Sequence, residues 1–130
     1  ELNLTGQVFF PGFVPADELV LWYNAAAVFA YPSSYEGFGI PVAEALACGR
    51  PVVTSNVSSL PEAGGDAAIF APPSNIDALR DALARALALD PEALARGPAH
   101  AARFTWAATA AQTAASYRRA IHLDSKEVRG

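Results

Sequence analysis

Short apolar runs alternate with helix-like segments in this chain, and the alternation limits the folds it can adopt. The run 51–54 is β-branched and continuously apolar, as expected for a strand covered on both faces. Similar runs occur at 8–10, 28–31 and 67–70. Strands that alternate with helices form parallel βαβ units. The sequence therefore predicts an α/β fold, with a Rossmann-like parallel sheet of four strands and flanking helices.

Capping residues mark where several of the helices should begin. Asn75 is expected to cap one helix, and Thr105 to cap the last helix, which runs to about His122. The polar residues 124–130 are expected to form a disordered tail. Four aromatic residues in the predicted helices are expected to pack in the core or at its edge: Trp22, Tyr23, Trp106 and Tyr117.

Charge and composition exclude several function classes. The net charge of −4 gives the chain as a whole no electrostatic affinity for nucleic acid or for anionic membranes. No apolar run approaches the ~20 residues needed to span a bilayer. The single cysteine, Cys48, cannot form an internal disulfide, which is compatible with a reducing cytoplasm.

Residues 31–51 place a strand, a glycine turn and a helix start in succession. The turn is Gly37-Phe38-Gly39, and the helix is predicted over 41–48. The unpaired N–H groups of a first helical turn and the positive end of the helix dipole together attract phosphate. We therefore expect Phe38, Gly39 and Ile40 to offer backbone N–H groups to an anion, with the glycines allowing close approach.

Two glutamates flank this turn. If Glu36 and Glu44 lay in one helix, their eight-residue spacing would separate them by roughly 12 Å. That is too far for two carboxylates acting on one glycosidic bond, which lie ~5–9.5 Å apart. It suits the two ends of an extended ligand, and carboxylates are good acceptors for sugar hydroxyls. Phosphate between two sets of hydroxyls describes a nucleotide-sugar. The plainer alternative is that Glu36 caps the helix and Glu44 is solvated.

Hydroxyl side chains follow two of the predicted strands. The loops 32–39 and 55–59 should meet at the carboxyl edge of the sheet, where ligands bind in such folds. Hydroxyl groups that could line this edge belong to Ser33, Ser34, Thr54, Ser55 and Ser58. Each one alone also fits a loop or capping role. His100 and His122 are expected to be solvated, and no metal site is predicted because Cys/His metal spacing is absent.

The segment from Glu36 to Glu44 resembles the E-x7-E motif of glycosyltransferase family 4, the glycosyl transferases group 1. Further similar segments lie between residues 8 and 117, among them GFVP at 12–15, ACGRPVV at 47–53 and FTW at 104–106. The resemblance implies the GT-B fold, with two Rossmann-like domains. It also implies transfer of a sugar from a nucleotide-sugar with retention of configuration, usually without a metal. The stretch 54–62 is similar to mannosyltransferases, which favours GDP-mannose and leaves another NDP-hexose open.

The resemblance also implies roles for individual residues. Glu36 is the expected catalytic residue, contacting the hydroxyls of the donor sugar, and Glu44 is expected to bind the ribose. Val14 is expected to lie beside the base. The expected donor-binding set is Val14, Ser33, Gly37, Phe38, Gly39, Ile40, Glu44, Thr54 and Ser55.

By the same resemblance, residues 1–123 are a partial C-terminal nucleotide-sugar-binding domain, a truncated half of the GT-B fold. The resemblance also implies that the N-terminal Rossmann domain is absent, together with the first two strands of the C-terminal domain, which carry the Arg and Lys that usually neutralise the diphosphate. Arg50 is no obvious substitute. We expect the chain alone to be inactive, to need the missing domain or a partner chain, and to self-associate through an open sheet edge. The expected location is cytoplasmic, peripheral to the inner membrane face in a full-length protein.

Other function classes remain open. The chain could be a non-catalytic module that binds a nucleotide or sugar-phosphate beside a separate partner. It could also be an assembly domain that keeps the fold and binds no ligand. A GT-B sugar epimerase fits the glutamate pattern less well.

Overall fold

A computed structural model describes the backbone of residues 3–127 and the side chains of residues 3–121. In this part of the chain the sheet has three parallel strands in the order β1-β2-β3. They are β1 (Phe29–Tyr31), β2 (Val52–Ser55) and β3 (Ile69–Ala71). Phe29 lies opposite Val52 in the first pair of strands, and Val53 lies opposite Ile69 in the second.

Six helices are found among the described residues. They are α1 (Ala16–Ala25), α2 (Ile40–Ala47), α3 (Leu60–Gly64), α4 (Ile76–Leu87), α5 (Pro91–Ala101) and α6 (Trp106–Glu127). Both predicted caps are confirmed. The side chain of Asn75 accepts a hydrogen bond from the N–H of Ala78 at 3.0 Å, and that of Thr105 accepts one from Ala108 at 3.1 Å. None of these helices is long and apolar enough to cross a bilayer.

The last helix continues beyond its predicted end at His122. Its backbone is helical to Glu127, so part of the segment 124–130 is helical rather than irregular. The remaining residues of the predicted tail, 128–130, lie outside the described residues, as does the side chain of His122. The predicted boundary between residues 1–123 and the tail therefore stays a prediction.

The core lies on both faces of β2, whose four residues are all buried. One face packs against α2 and α3, where Val42, Leu46 and Leu60 are almost inaccessible to solvent. The other face packs against α4 through Ala82 and Ala86. Because side chains alternate along a strand, cover on both faces buries every residue of β2, including the small hydroxyl residues Thr54 and Ser55. The predicted fold class, a Rossmann-like parallel sheet with flanking helices, is confirmed.

The prediction of a strand at 8–10 is wrong. These residues pair with no strand among the described residues, and Phe9 and Phe10 are 76% and 87% exposed. In a sheet ordered 3-2-1-4-5-6, this run would be strand three, whereas β1 to β3 would be strands four to six. Strands one and two, which would lie between them, are not among the strands that the structure describes for residues 3–127. The run therefore has no neighbour, and one edge of β1 is unpaired within the described residues.

Three other predictions about individual side chains are also wrong. His100 is buried rather than solvated, because α5 places its ring against Gly65 and within 3.2 Å of the carbonyl oxygen of Glu62. Trp106 and Tyr117 were expected to pack, yet they are 89% and 68% exposed. Both lie on α6, which makes few contacts with the rest of the described structure.

Candidate functional site

The turn before α2 is fixed by Gly39. This residue is the N-cap of α2 and has a φ of 97°, a conformation that side-chain-bearing residues rarely adopt. It is also buried, and a Cβ added there would lie 2.7 Å from Cδ2 of Leu60. Glycine is therefore needed both for the backbone angle and for the close packing of the turn against α3.

The N-terminal tip of α2 carries backbone donors without protein acceptors. The N–H groups of Val42 and Ala43 both reach the carbonyl oxygen of Gly39, at 2.9 and 3.4 Å. Within the described residues, the N–H groups of 37–40 donate to no protein acceptor. A Cβ added at Gly37 would meet nothing within 4 Å, so there is open space beside the turn. Such a tip can receive an anion.

The loops that follow β1 and β2 meet, as their positions after parallel strands predicted. The N–H of Glu36 donates to Oγ of Ser58 at 3.0 Å, and Oγ of Ser59 donates to the carbonyl oxygen of Glu36 at 3.0 Å. Ser58 has a φ of 49°, so its backbone lies in the left-handed region. The backbone of Glu36 is therefore held on both sides by the second loop.

The side chain of Glu36 is held by a tyrosine from β1. The hydroxyl of Tyr31 donates to Oε1 of Glu36 at 2.7 Å. This hydrogen bond, followed by burial and the charge of Glu36, raises the pKa of Tyr31 above its ordinary value of 10.0. Glu36 does not cap α2, because Gly39 is the N-cap and no side chain bonds to that helix start.

Glu44 is held in the same way from another helix. The hydroxyl of Tyr23, a buried residue of α1, donates to Oε2 of Glu44 at 2.8 Å. Burial, together with the hydrogen bond to Glu44 and its charge, raises the pKa of Tyr23 well above its ordinary value of 10.0. Glu44 is half-buried, so the alternative of a fully solvated carboxylate does not hold.

One aromatic cluster supports both glutamates. The ring of Tyr23 packs edge-on against Phe29, with centroids 5.3 Å apart, and Phe29 stacks on Tyr31 at 5.9 Å. We call Tyr23, Phe29 and Tyr31 the aromatic trio. All three pack against the core cluster on the α2 face of the sheet. Both carboxylates are therefore tied to the same side of the molecule.

Val14 lies beside this cluster. A groove of about 290 Å³ runs along α1 and β1, and it is lined by Val14, Leu19, Trp22, Tyr23, Ala26 and Phe29. Because Tyr23 both lines the groove and bonds to Glu44, the predicted base and ribose positions are adjacent.

The hydroxyl residues predicted at the edge divide into two groups. Ser33 lies in the loop, and its Oγ approaches the backbone O and N of Tyr35 at 3.1 and 3.4 Å. Thr54 and Ser55 have no exposed surface. Oγ1 of Thr54 donates to the carbonyl oxygen of Tyr31 at 2.9 Å, and Oγ of Ser55 has no partner among the described residues. These two hydroxyls lie below the surface, and their contact with a donor stays a prediction.

Arg50 does not place its cationic side chain at the N-terminal tip of α2. Its Nε donates to the carbonyl oxygen of Cys48 at 3.3 Å, which places it at the C-terminal end of α2. In the described part of the chain, no three His, Cys, Asp or Glu side chains are grouped so that they could hold a metal ion.

Tyr23 and Tyr31 contact the two glutamates, yet the sequence patterns did not predict either of them as a site residue. Tyr23 precedes Glu44 by 21 positions, and nothing local to either residue indicates their contact. Tyr31 precedes Glu36 by five positions and was interpreted as part of a strand.

A third aromatic contact, between the rings of Phe38 and Phe104 with centroids 5.0 Å apart, anchors the turn to the segment before α6.

The family profile described as "Glycosyl transferases group 1" matches residues 1–103. The chain belongs to this family. It is 45% identical over 116 residues to the O-antigen chain mannosyltransferase B of Escherichia coli, covering 87% of this chain and 30% of that protein. It is 39% identical over 124 residues to the D-inositol 3-phosphate glycosyltransferase of Mycolicibacterium smegmatis, covering 93% of this chain and 29% of that protein.

A solved structure shares the fold of this family member. The sucrose-phosphate synthase of Thermosynechococcus elongatus aligns with a TM-score of 0.75 and 36% identity, over 93% of this chain and 32% of that one. The chain thus spans about 30% of the length of these relatives. It corresponds to part of a GT-B fold.

Proposed function

We propose that this chain is the donor-binding part of a retaining glycosyltransferase. The enzyme would move a hexose from a nucleotide-sugar to a glycan or a lipid-linked acceptor. The observation that carries the proposal is the arrangement around α2, where Glu36 and Glu44 are each held by a tyrosine on either side of a helix tip with free N–H groups. This arrangement offers acceptors for hydroxyls at two ends and donors for a diphosphate between them.

Each part of the donor has a chemical counterpart at the site. The diphosphate lies at the N–H groups of 37–40, where the dipole of α2 favours negative charge. Glu44 accepts from the ribose hydroxyls, and the base lies over the groove beside Val14. Glu36 accepts from the hexose hydroxyls. When the bond from the anomeric carbon to the phosphate oxygen breaks, charge grows on the diphosphate, and fixed N–H donors stabilise it.

GDP-mannose is the donor we propose, with another NDP-hexose as the alternative. The support comes from the names of relatives, since the E. coli proteins that match at 45% and 40% identity are both described as mannosyltransferases. The mycobacterial relative is described as a D-inositol 3-phosphate glycosyltransferase, a name that specifies no hexose. A binding assay must therefore determine the nucleotide base and the hexose of the donor separately.

Turnover requires more than this chain, in our proposal. The guanidinium of Arg50 lies at the wrong end of α2, so it cannot neutralise a diphosphate at the tip. The chain also spans only 30% of the length of the mannosyltransferase B that it resembles. An N-terminal Rossmann domain, in the same chain or in a partner chain, would supply the acceptor site, and two further strands of the C-terminal domain would supply the cations. The predicted cytoplasmic location, peripheral to the inner membrane face in a longer protein, stays a prediction.

Self-association is a related proposal, supported by the unpaired edge of β1 and by exposed apolar side chains near the N-terminus. An edge strand with free backbone groups can pair with another chain. Sedimentation velocity over a range of concentrations tests this directly. A compact monomer at every concentration would contradict it.

Isothermal titration calorimetry with GDP, GDP-mannose, UDP and UDP-glucose tests the donor proposal. Glu44→Gln should weaken nucleotide and nucleotide-sugar alike, by about ten- to a hundredfold, because a charged hydrogen bond is lost. Glu36→Gln should weaken the nucleotide-sugar alone. Glu92→Gln is the matched control, since Glu92 is exposed on α5. Absence of binding by the unaltered chain to all four compounds would refute the proposal and favour an assembly domain.

A second candidate is a non-catalytic module that binds a nucleotide or a sugar-phosphate. The position of Arg50 favours it, because binding through N–H groups and carboxylates needs no cation for a leaving group. The two candidates make the same binding prediction and differ in turnover. A longer protein that contains this chain and binds GDP-mannose, yet transfers no mannose to any glycan or lipid acceptor, would favour the second.

A further inference from the structure

We propose that Tyr23 and Tyr31 are positioning residues of the donor site. Each phenol hydroxyl fixes one carboxylate oxygen and leaves the other oxygen available to a sugar hydroxyl. The inference rests on the proposed function, because it assumes that Glu36 and Glu44 accept from the donor. It adds residues that lie behind the two glutamates and are not expected to touch the donor themselves.

Glu36 is held at three points, which fixes the orientation of its second carboxylate oxygen, Oε2. Its N–H and its carbonyl oxygen bond to Ser58 and Ser59, and Oε1 accepts from Tyr31 at 2.7 Å. An ionised carboxylate has about four lone-pair sites, so one phenol leaves most of the acceptor capacity unused. The carboxylate therefore meets a ligand in a fixed orientation, which spares the ligand the entropy of ordering a flexible side chain.

Glu44 depends on a different element for its orientation. Tyr23 belongs to α1, is 9% exposed, and reaches across to Oε2 of Glu44 at 2.8 Å. Its ring is held edge-on by Phe29. Glu44 itself lies in α2, so the contact ties the orientation of the carboxylate to the position of α1 beside the groove.

The aromatic trio joins the two supports. Phe29 is packed against both tyrosine rings, at 5.3 and 5.9 Å, and its backbone is paired in the sheet. The two carboxylates are thus both held by rings of one packed cluster, which stand on one strand and one helix. Such support fixes the orientation in which each carboxylate meets a ligand.

Both hydroxyls remain donors under the conditions of a binding assay. Hydrogen bonding to Glu36 raises the pKa of Tyr31, and burial raises the pKa of Tyr23, so each phenol stays protonated around neutral pH. Tyr→Phe substitutions at these positions remove the hydroxyl and keep the ring. They therefore separate positioning from packing within the trio.

The test is calorimetry on the chain with GDP and GDP-mannose. Tyr31→Phe should weaken GDP-mannose about three- to tenfold and leave GDP within twofold, since the ligand must then order the Glu36 side chain, and Glu36 faces only the sugar. Tyr23→Phe should weaken both ligands equally. Tyr35→Phe is the matched control, because Tyr35 precedes Glu36 directly, is 79% exposed, and its hydroxyl has no partner among the described residues.

A double-mutant cycle gives a readout that a purely structural role would not move. If Tyr31 acts through Glu36, Tyr31→Phe should have no further effect in a Glu36→Ala background. Additive losses, or Tyr→Phe variants that bind both ligands like the unaltered chain, would overturn the inference. Failure of the unaltered chain to bind either ligand would instead overturn the proposed function. Should Tyr23→Phe fail to fold, the Tyr31 cycle decides the inference.

Discussion

Replacing Gly39 with alanine should destabilise the fold strongly. Two costs act together. A φ of 97° is unfavourable for a residue with a Cβ, at about 1–3 kcal/mol. The new Cβ would also lie 2.7 Å from Cδ2 of Leu60, which is fully buried and can give way only by repacking the core, and such overpacking costs about 1–3 kcal/mol. Together these costs predict a loss of roughly 2–6 kcal/mol in the free energy of unfolding.

Urea denaturation followed by circular dichroism measures this loss, and Gly37→Ala is the matched control. A Cβ at Gly37 would meet nothing within 4 Å, and its φ is not among the positive ones, so we expect a change within about 0.5 kcal/mol. The control should, however, weaken GDP-mannose, because the methyl group enters the space open to a ligand. A Gly39→Ala variant as stable as the unaltered chain would refute the reasoning about the turn.

Three further predictions concern stability. Ser55→Ala should leave the free energy of unfolding unchanged or raise it by about 1 kcal/mol, because the buried Oγ has no partner among the described residues; a marked loss in urea denaturation would show that the hydroxyl is satisfied. Asn75→Ala should cost about 1 kcal/mol, because the N–H of Ala78 loses its acceptor, and urea denaturation with Asn75→Ser as a capping-competent control measures it. The pKa values of Tyr23 and Tyr31 are raised in the folded state, so their contribution to stability is complete below pH 10.0 and declines as pH rises through the raised values. Tyr31→Phe should make that decline shallower in urea midpoints measured from pH 9 to 11. A variant with the same pH dependence as the unaltered chain would contradict this.

The helix starts and the sheet type could be predicted because they depend on near neighbours in the chain. Asn75 caps α4 through an N–H only three residues ahead, and the β-branched run 52–54 within β2 is typical of a strand covered on both faces. The tip of α2 was predicted from the order of strand, glycine turn and proline. These features follow from steric and hydrogen-bonding rules that act over a few residues.

The run 8–10 shows where such rules fail. Its apolar, β-prone residues predict a strand, but a strand exists only when a neighbour pairs with it, and the described residues supply none. His100 shows the same dependence, since its burial comes from the packing of α5 over Gly65. Local sequence does not specify which distant backbone will be adjacent.

By itself the sequence determined the parallel α/β architecture, the helix tip and the two glutamates beside it, because each depends on a short pattern of neighbouring residues. Tertiary structure alone decided that Tyr23, 21 positions before Glu44, would hold its carboxylate, and that Thr54 and Ser55 would both be buried. The physical reason is that side-chain contacts and burial depend on how α1, α2 and the strands pack. That packing is set by the free energy of the whole core rather than by any one segment.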